Sequence, residues 1–542
     1  MNAILHPARG PVSPVVREAV LAAGAAAAVS ALLVWAAPPG VDLAAHIYQR
    51  TLFIQHGFEL WNNFWYAGRY SFVTYSLLYY PLAAVIGIRL LAVATVAAAA
   101  LAFSVIVWRE WGSRALWSSR TFAIVWAGIV LSAAFPFALG AAFALLALWA
   151  AQARRLRRFA PLALLTLAAS PVAFLLLALV LAGVGVGRRT ERRLLVGIGL
   201  VVGGLGFVEL VLWRLFPSAG RYPFSGEELA AALVFCGIAT ALTWRNERVR
   251  ALRFVFPVYA AACIASYVVS SGLGDNIVRL RFLAIPVAIL VLALRDWRPL
   301  PVCLLALVLA ALWNLTPLAF NLAQAASDPA SKASYWAPAV RYLDSHLSPN
   351  YRVEAVDTVG HWDAVYLPDA GIPLARGWFR QDDFPQNAVL YGRLGPKAYV
   401  SWLRRLGIGY VVLTNAPPDY SAAAEARLVA GGLAPLRLVF RTASLRIYAV
   451  RSPRPLITGP GSARVTSFTQ SGMTATVAKA GIYRVAVHAS PYWRLTPGCV
   501  TAGADGMIRL HVPTAGKVKL AFDLSAAGAL QAITGAADDT CS

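Results

Sequence analysis

The chain has 542 residues, 59% of them hydrophobic and only 13% charged, with a mean hydropathy of +0.62 and a net charge of +23. That balance excludes an ordinary soluble enzyme and points to a polytopic membrane protein. The positive charge falls in short clusters between apolar runs, at 154–158, 188–193 and 245–253. Such spacing marks cytoplasmic loops and contacts with anionic membrane lipid, not a nucleic-acid surface.

The first apolar run, roughly 18–38, follows Arg9 and Arg17 and lacks a cleavage site, so it reads as an uncleaved membrane helix with its N-terminus inside. An outer loop over 39–79 comes next. It is crowded with Trp, Tyr, Phe, His and Asn, and its only carboxylates are Asp42 and Glu59. Polar groups held at a bilayer boundary under aromatic cover are candidates for function. Further runs cover 80–107, 115–152 (broken at Phe135-Pro136-Phe137) and 160–187 (broken at Ser170-Pro171). Proline-broken helices survive in a bilayer where they are buried in protein or line a cavity, so both breaks are candidate cavity walls. Runs at 194–216, 228–244, 253–271, 280–294 and 300–320 complete a transmembrane domain over 1–324. Placing the Arg-rich loops inside gives about eleven crossings, with the C-terminus outside.

From 325 onward Asp becomes common and Gly and Pro punctuate shorter apolar runs. YRVEAVDT, IGYVVLT and SLRIYAV read as strands between amphipathic helices, which predicts an extracytoplasmic α/β unit over 325–452. Short alternating strands then predict a β-sandwich over 453–542. Cys236, Cys263 and Cys303 sit in apolar runs as small hydrophobes. Cys499 and Cys541 lie in the tail, where a disulfide is open to them if the tail is extracytoplasmic.

Asp42, His46 and Arg50 stand at i, i+4 and i+8, near one face of a helix. A carboxylate and an imidazole so placed can abstract a proton, and Arg50 can counter a phosphate. The plainer alternative is a helix cap at Asp42 with an interfacial His below it. In the outer stretch 270–286, Arg279 and Arg281 can clamp a phosphate, or else extend into lipid headgroups. Glu209, inside an apolar span, needs a partner. Glu227 and Glu228 suit a helix start. The WFRQDD segment at 378–383 has the polar density of a site edge.

An acidic residue in a long first outer loop, then a His, then a Gly- and Trp-rich stretch ending Tyr80-Pro81-Leu82, resembles the GT-C superfamily of membrane glycosyltransferases. The broken crossings FPFALG and ASPVAF and the GDNIVRLRF loop are similar to it too. Within it, the chain is similar to actinobacterial membrane proteins labelled 6-pyruvoyl-tetrahydropterin-synthase-related, on His361-Trp362-Asp363, Ala375-Arg376-Gly377-Trp378 and Ser490-Pro491-Tyr492-Trp493. The triple-His zinc cluster of a pterin synthase is missing. The resemblance implies transfer of a sugar from a polyprenyl-phosphate donor to an extracytoplasmic glycan or glycolipid acceptor, with inversion. It maps Asp42 onto the catalytic carboxylate, with His46 or Glu59 assisting, and gives Arg279, Arg281 and Arg50 the donor phosphate. Trp61, Trp65, Tyr80, His361, Trp362 and Trp378 would meet acceptor or sugar, although large aromatics are more often core. No metal ligands are assigned; a divalent cation would need more carboxylates near Asp42. Two other readings stay open: a non-catalytic envelope protein that kept the fold, and a transporter of lipid-linked substrates. A transporter should show internal repeats and midplane polar groups, which the sequence lacks. Convergence of Asp42 and the arginine pair on one cavity separates transfer from the non-catalytic reading.

Overall fold

The computed structural model describes residues 13–187, 192–217, 220–534 and 541; Arg9 and positions 188–191 of the basic cluster lie outside the described residues. The apolar runs fold as helices α1 (Pro14–Ala36), α4 (Ile88–Trp111), α5 (Leu116–Ala127), α6 (Phe135–Gln152), α7 (Leu156–Ala169), α8 (Pro171–Gly187), α9 (Arg192–Leu215), α10 (Gly226–Thr243), α11 (Val255–Val268), α12 (Ala284–Ala293) and α13 (Leu300–Ala326). Among the described residues, eight helical segments are long and apolar enough to cross a membrane. Helices α7 and α8, at 14 and 17 residues, fall short of the roughly twenty a full crossing takes. Both proline breaks are real: α6 starts at Phe135 and α8 at Pro171. They also meet. A Cβ on Gly140 of α6 would lie 2.7 Å from Cβ of Ala173 and 2.8 Å from that of Ser170, so the glycine lets α6 approach the second break.

The first loop is itself structured. Helix α2 (Leu43–His56) ends at Gly57, whose φ of 71° suits a residue without a Cβ. A two-stranded antiparallel ribbon follows, β1 (Trp61–Asn62) on β2 (Arg69–Tyr70), then α3 (Tyr79–Ile86).

Beyond α13 come α14 (Ala333–His346), β3 (Arg352–Ala355), α15 (Asp363–Asp369), α16 (Pro396–Arg405), β4 (Ile408–Thr414), α17 (Ala423–Ala430), β5 (Leu436–Arg441) and β6 (Leu445–Val450). Their sheet runs β3-β4-β6-β5, with β3 parallel to β4 and the other pairs antiparallel. The tail carries β7 (Ile457–Thr458), β8 (Ala463–Thr469), β9 (Gly472–Val477), β10 (Gly481–His488), β11 (Trp493–Thr496), β12 (Cys499–Ala502), β13 (Met507–Val512), β14 (Gly516–Phe522) and α18 (Ala526–Thr534). Its strands form two four-stranded antiparallel sheets, β12-β13-β10-β7 and β11-β14-β9-β8, with one apolar core. Cys499 and Cys541 are disulfide-bonded.

The first loop contributes to the cores of both later units. Tyr48 and Trp65 pack with Trp336 and Trp362 beside the α/β sheet, while Trp61 and Tyr70 join Tyr492 and Trp493 in the sandwich core. Hydrogen bonds follow the same route: Trp65 Nε1 donates to the Ala364 carbonyl at 3.0 Å, and the Tyr70 and Ser490 hydroxyls lie 2.9 Å apart. Burying large aromatics across these joins contributes to holding the later units against the helices.

Candidate functional site

Asp42 is positioned by backbone. Gly40 lies so close to the turn before α6 that a Cβ there would sit 2.8 Å from Leu131 O and Ala133 N. The Asp42 amide then donates to the Ser132 carbonyl at 3.1 Å, and α2 begins at the next residue. Asp42 occupies the cap position but makes no side-chain cap hydrogen bond. Its carboxylate has no hydrogen-bond or ion-pair partner among the described residues, and it keeps part of its surface accessible. Burial pushes its carboxyl up, while the charges of Arg279, His361, Arg380 and Arg281 pull it down. A desolvated carboxylate without a bonded partner is a strong proton acceptor.

Arg279 projects from a 3₁₀ segment, Gly274–Leu283, ahead of α12. Its Nε donates to Asn276 Oδ1 at 2.9 Å, and its guanidinium carbon lies 5.2 Å from the Phe137 ring centre, at the first proline break. No carboxylate comes within 4 Å of it among the described residues. The Tyr75 hydroxyl of the first loop hydrogen-bonds it. Arg281 is engaged elsewhere: its Nη1 lies 3.3 Å from both Glu228 oxygens. Arg50 donates from Nε to the Ala83 carbonyl at 2.8 Å, bracing α2 on α3. Of the three arginines expected at a donor phosphate, Arg279 exerts the strongest charge effect on Asp42, Arg281 a weaker one, and Arg50 is not among the charges that act on it.

The α/β region adds a second wall. The His361 Nδ1 lies 2.7 Å from Asp357 Oδ1, and Nε2 lies 3.4 Å from Arg380 Nη2. Burial disfavours charge on His361, yet the Asp357 carboxylate outweighs it and moves the imidazole upward. Arg380 in turn holds Asp419 at 2.5 Å. Trp378 rests edge-on to His361, with ring centres 5.8 Å apart, and donates from Nε1 to the Val41 carbonyl at 3.3 Å, one residue before Asp42. Asp42, Tyr75, Arg279, Trp378 and Arg380 all retain some exposed surface amid buried neighbours. Asp357, His361 and Asp419 also present one ligand atom each within 4.8 Å of one another, a spacing open to a metal ion. Their chemistry fits one poorly, because Asp419 already takes Arg380 on one oxygen and the Ser421 amide on the other, and Arg376 stands 3.6 Å from Asp357.

The other expected site residues lie away from this slot or inside the protein. His46 is buried among Tyr75, Tyr79, Tyr80 and Phe135, with Nδ1 3.3 Å from the Tyr80 hydroxyl. Burial pushes its pKa down to about 3, so it is neutral and unsuited to hold a proton in turnover. Glu59 lies beyond the far end of α2, about 20 Å along the helix from Asp42. Trp61, Trp65, Tyr80 and Trp362 are 4% exposed or less and offer no face to a sugar. The tail motifs behave likewise, for Tyr492 and Trp493 are fully buried. Glu209 is half-buried in α9, away from these groups.

Beside Arg279 the helices leave two neighbouring apolar cavities. A cavity of about 70 Å³ is lined by Arg279, Phe137 and Trp126, and another of about 510 Å³ extends to Arg109, Glu110 and Arg154. They share Leu145, Leu148, Val180, Leu280 and Leu283 as walls. The partners that sequence reasoning did not single out are Tyr75, Asp357, Arg380 and Asp419. Only the polar density of 378–383 marked Arg380; the rest converge through folding. No protein-family model matches the chain, and no curated protein matches it in sequence.

Proposed function

We propose that the protein is a membrane glycosyltransferase that moves a sugar from a polyprenyl-phosphate donor to an extracytoplasmic glycan or glycolipid. One observation carries the reading: Asp42, a carboxylate without a bonded partner among the described residues, lies within electrostatic reach of the Arg279 guanidinium, and Arg279 lines an apolar cavity. The neighbouring apolar cavities suit an isoprenoid tail, and Arg279 suits its phosphate. In this reading Asp42 accepts the acceptor hydroxyl's proton as that oxygen attacks the anomeric carbon. The anomeric bond to the phosphate breaks on the opposite face, its electron pair leaves on the phosphate, and Arg279 balances that charge. A phosphate leaves readily, so no general acid is needed. The stereochemistry inverts.

The GT-C resemblance, the plasma-membrane location and a tail outside the cell belong to the same proposal. Its test is mass spectrometry of envelope glycans and polyprenyl-linked sugars in cells with and without the protein. Loss of one glycan species with build-up of its lipid-linked sugar is the expected result. An unchanged profile overturns the reading in favour of a non-catalytic membrane protein.

A further inference from the structure

The later stretch of the α/β region carries mostly positive charge. Residues 393–454 hold ten Lys and Arg and only two carboxylates, Asp419 and Glu425. Both carboxylates are turned inward, Asp419 onto Arg380 at 2.5 Å and Glu425 onto the Tyr399 hydroxyl at 2.6 Å. None of the ten cations has a carboxylate within 4 Å among the described residues. Unbalanced charge of this kind raises a local potential that an anion can lower.

Part of that charge lines a groove of about 770 Å³ between α16 and the chain leading into β5. Lys397, Ser401 and Arg404 stand at i, i+4 and i+7 on one face of α16, and Arg454 and Pro435 lie among the facing residues. Lys397, Arg404 and Arg454 are exposed. Arg405, the fourth cation, is tied by Nη2 to the Gln386 carbonyl at 2.5 Å. Its Nε is buried and has no hydrogen-bond partner.

We propose that this groove binds a phosphodiester-linked glycan chain, with Lys397, Arg404 and Arg454 contacting its phosphates. Arginine-rich linings favour phosphate, because the planar guanidinium matches two oxygens at once. The surface is concave, which suits a chain more than a flat bilayer. Nucleic acid fits less well, since no aromatic side chain lines the groove to stack a base. The inference is independent of the transfer chemistry and would hold for a non-catalytic protein.

The test uses the full chain in nanodiscs of zwitterionic lipid, titrated with an oligomer of about ten glycerol-phosphate units across a range of salt. The wild type should bind, more weakly as salt rises, because phosphate contacts release counterions. The K397A/R404A/R454A variant should bind about tenfold or more weakly with a shallower salt slope, while its melting temperature stays unchanged. Neutral dextran should not bind either protein. No wild-type binding at low salt overturns the proposal. So does undiminished binding by the triple variant, or a loss confined to single-stranded DNA or to phosphatidylglycerol vesicles.

Discussion

Arg279 and Arg281 are two residues apart, yet the fold gives them different work. Arg281 is held by the Glu228 carboxylate, whereas Arg279 bonds only the neutral groups of Asn276 and Tyr75 and acts more strongly on Asp42. Arg279→Ala should therefore reduce transfer by about tenfold to a thousandfold, the range for losing one stabilising donor at developing charge. Arg281→Ala should leave turnover within a few-fold and instead lower the melting temperature. A transfer assay on both variants checks this, and equal losses of activity would contradict it. The sign of the pH dependence follows from Asp42. It must be unprotonated to accept a proton, and burial raises its pKa. The rate should thus rise with pH through a midpoint above about 4, where a free carboxyl titrates. A rate already flat at that pH would argue against Asp42 as the base.

At the scale of elements, the first loop acts as a connecting piece. Its helix α2 aims Asp42, and its aromatic residues fill cores belonging to chain hundreds of residues away. Gly377 shows how tight that join is, since a Cβ there would sit 2.6 Å from the Trp65 ring. Gly377→Ala should destabilise by about 1–3 kcal/mol through overpacking. Thermal unfolding measures this, and an unchanged melting temperature would mean the join is looser than described. These contacts also explain what the sequence made legible. Apolar runs, proline breaks and alternating strands are local patterns, and each appears as a helix, a break or a sheet. The aromatic crowding of the first loop was visible, but its use was not. Trp61 and Trp65 look the same on paper whether they face a sugar or a core. Only the long-range packing onto Trp493 and Trp336 decides.

For the whole molecule, the slot lies where three parts of the chain meet. Asp42 comes from the first loop, Arg279 from the segment before α12, and His361 with Arg380 from beyond α13. No spacing in the sequence links the last pair to the first two, so Arg380 could be marked only as a polar neighbourhood. Asp42 could be singled out because it is one of only two carboxylates in an aromatic-rich stretch that follows an apolar run. The α/β region then does more than hang from the membrane helices: Trp378 bonds the backbone beside Asp42, so displacing that region should disturb Asp42 itself. The central claim is that Asp42 accepts a proton in sugar transfer. It is tested most directly by following labelled sugar from a polyprenyl-phosphate donor to envelope acceptor in reconstituted membranes with wild type and Asp42→Asn. The account predicts transfer by the wild type and a fall of about 10²–10⁴-fold in the variant, with expression and melting temperature preserved; full activity in Asp42→Asn would contradict it.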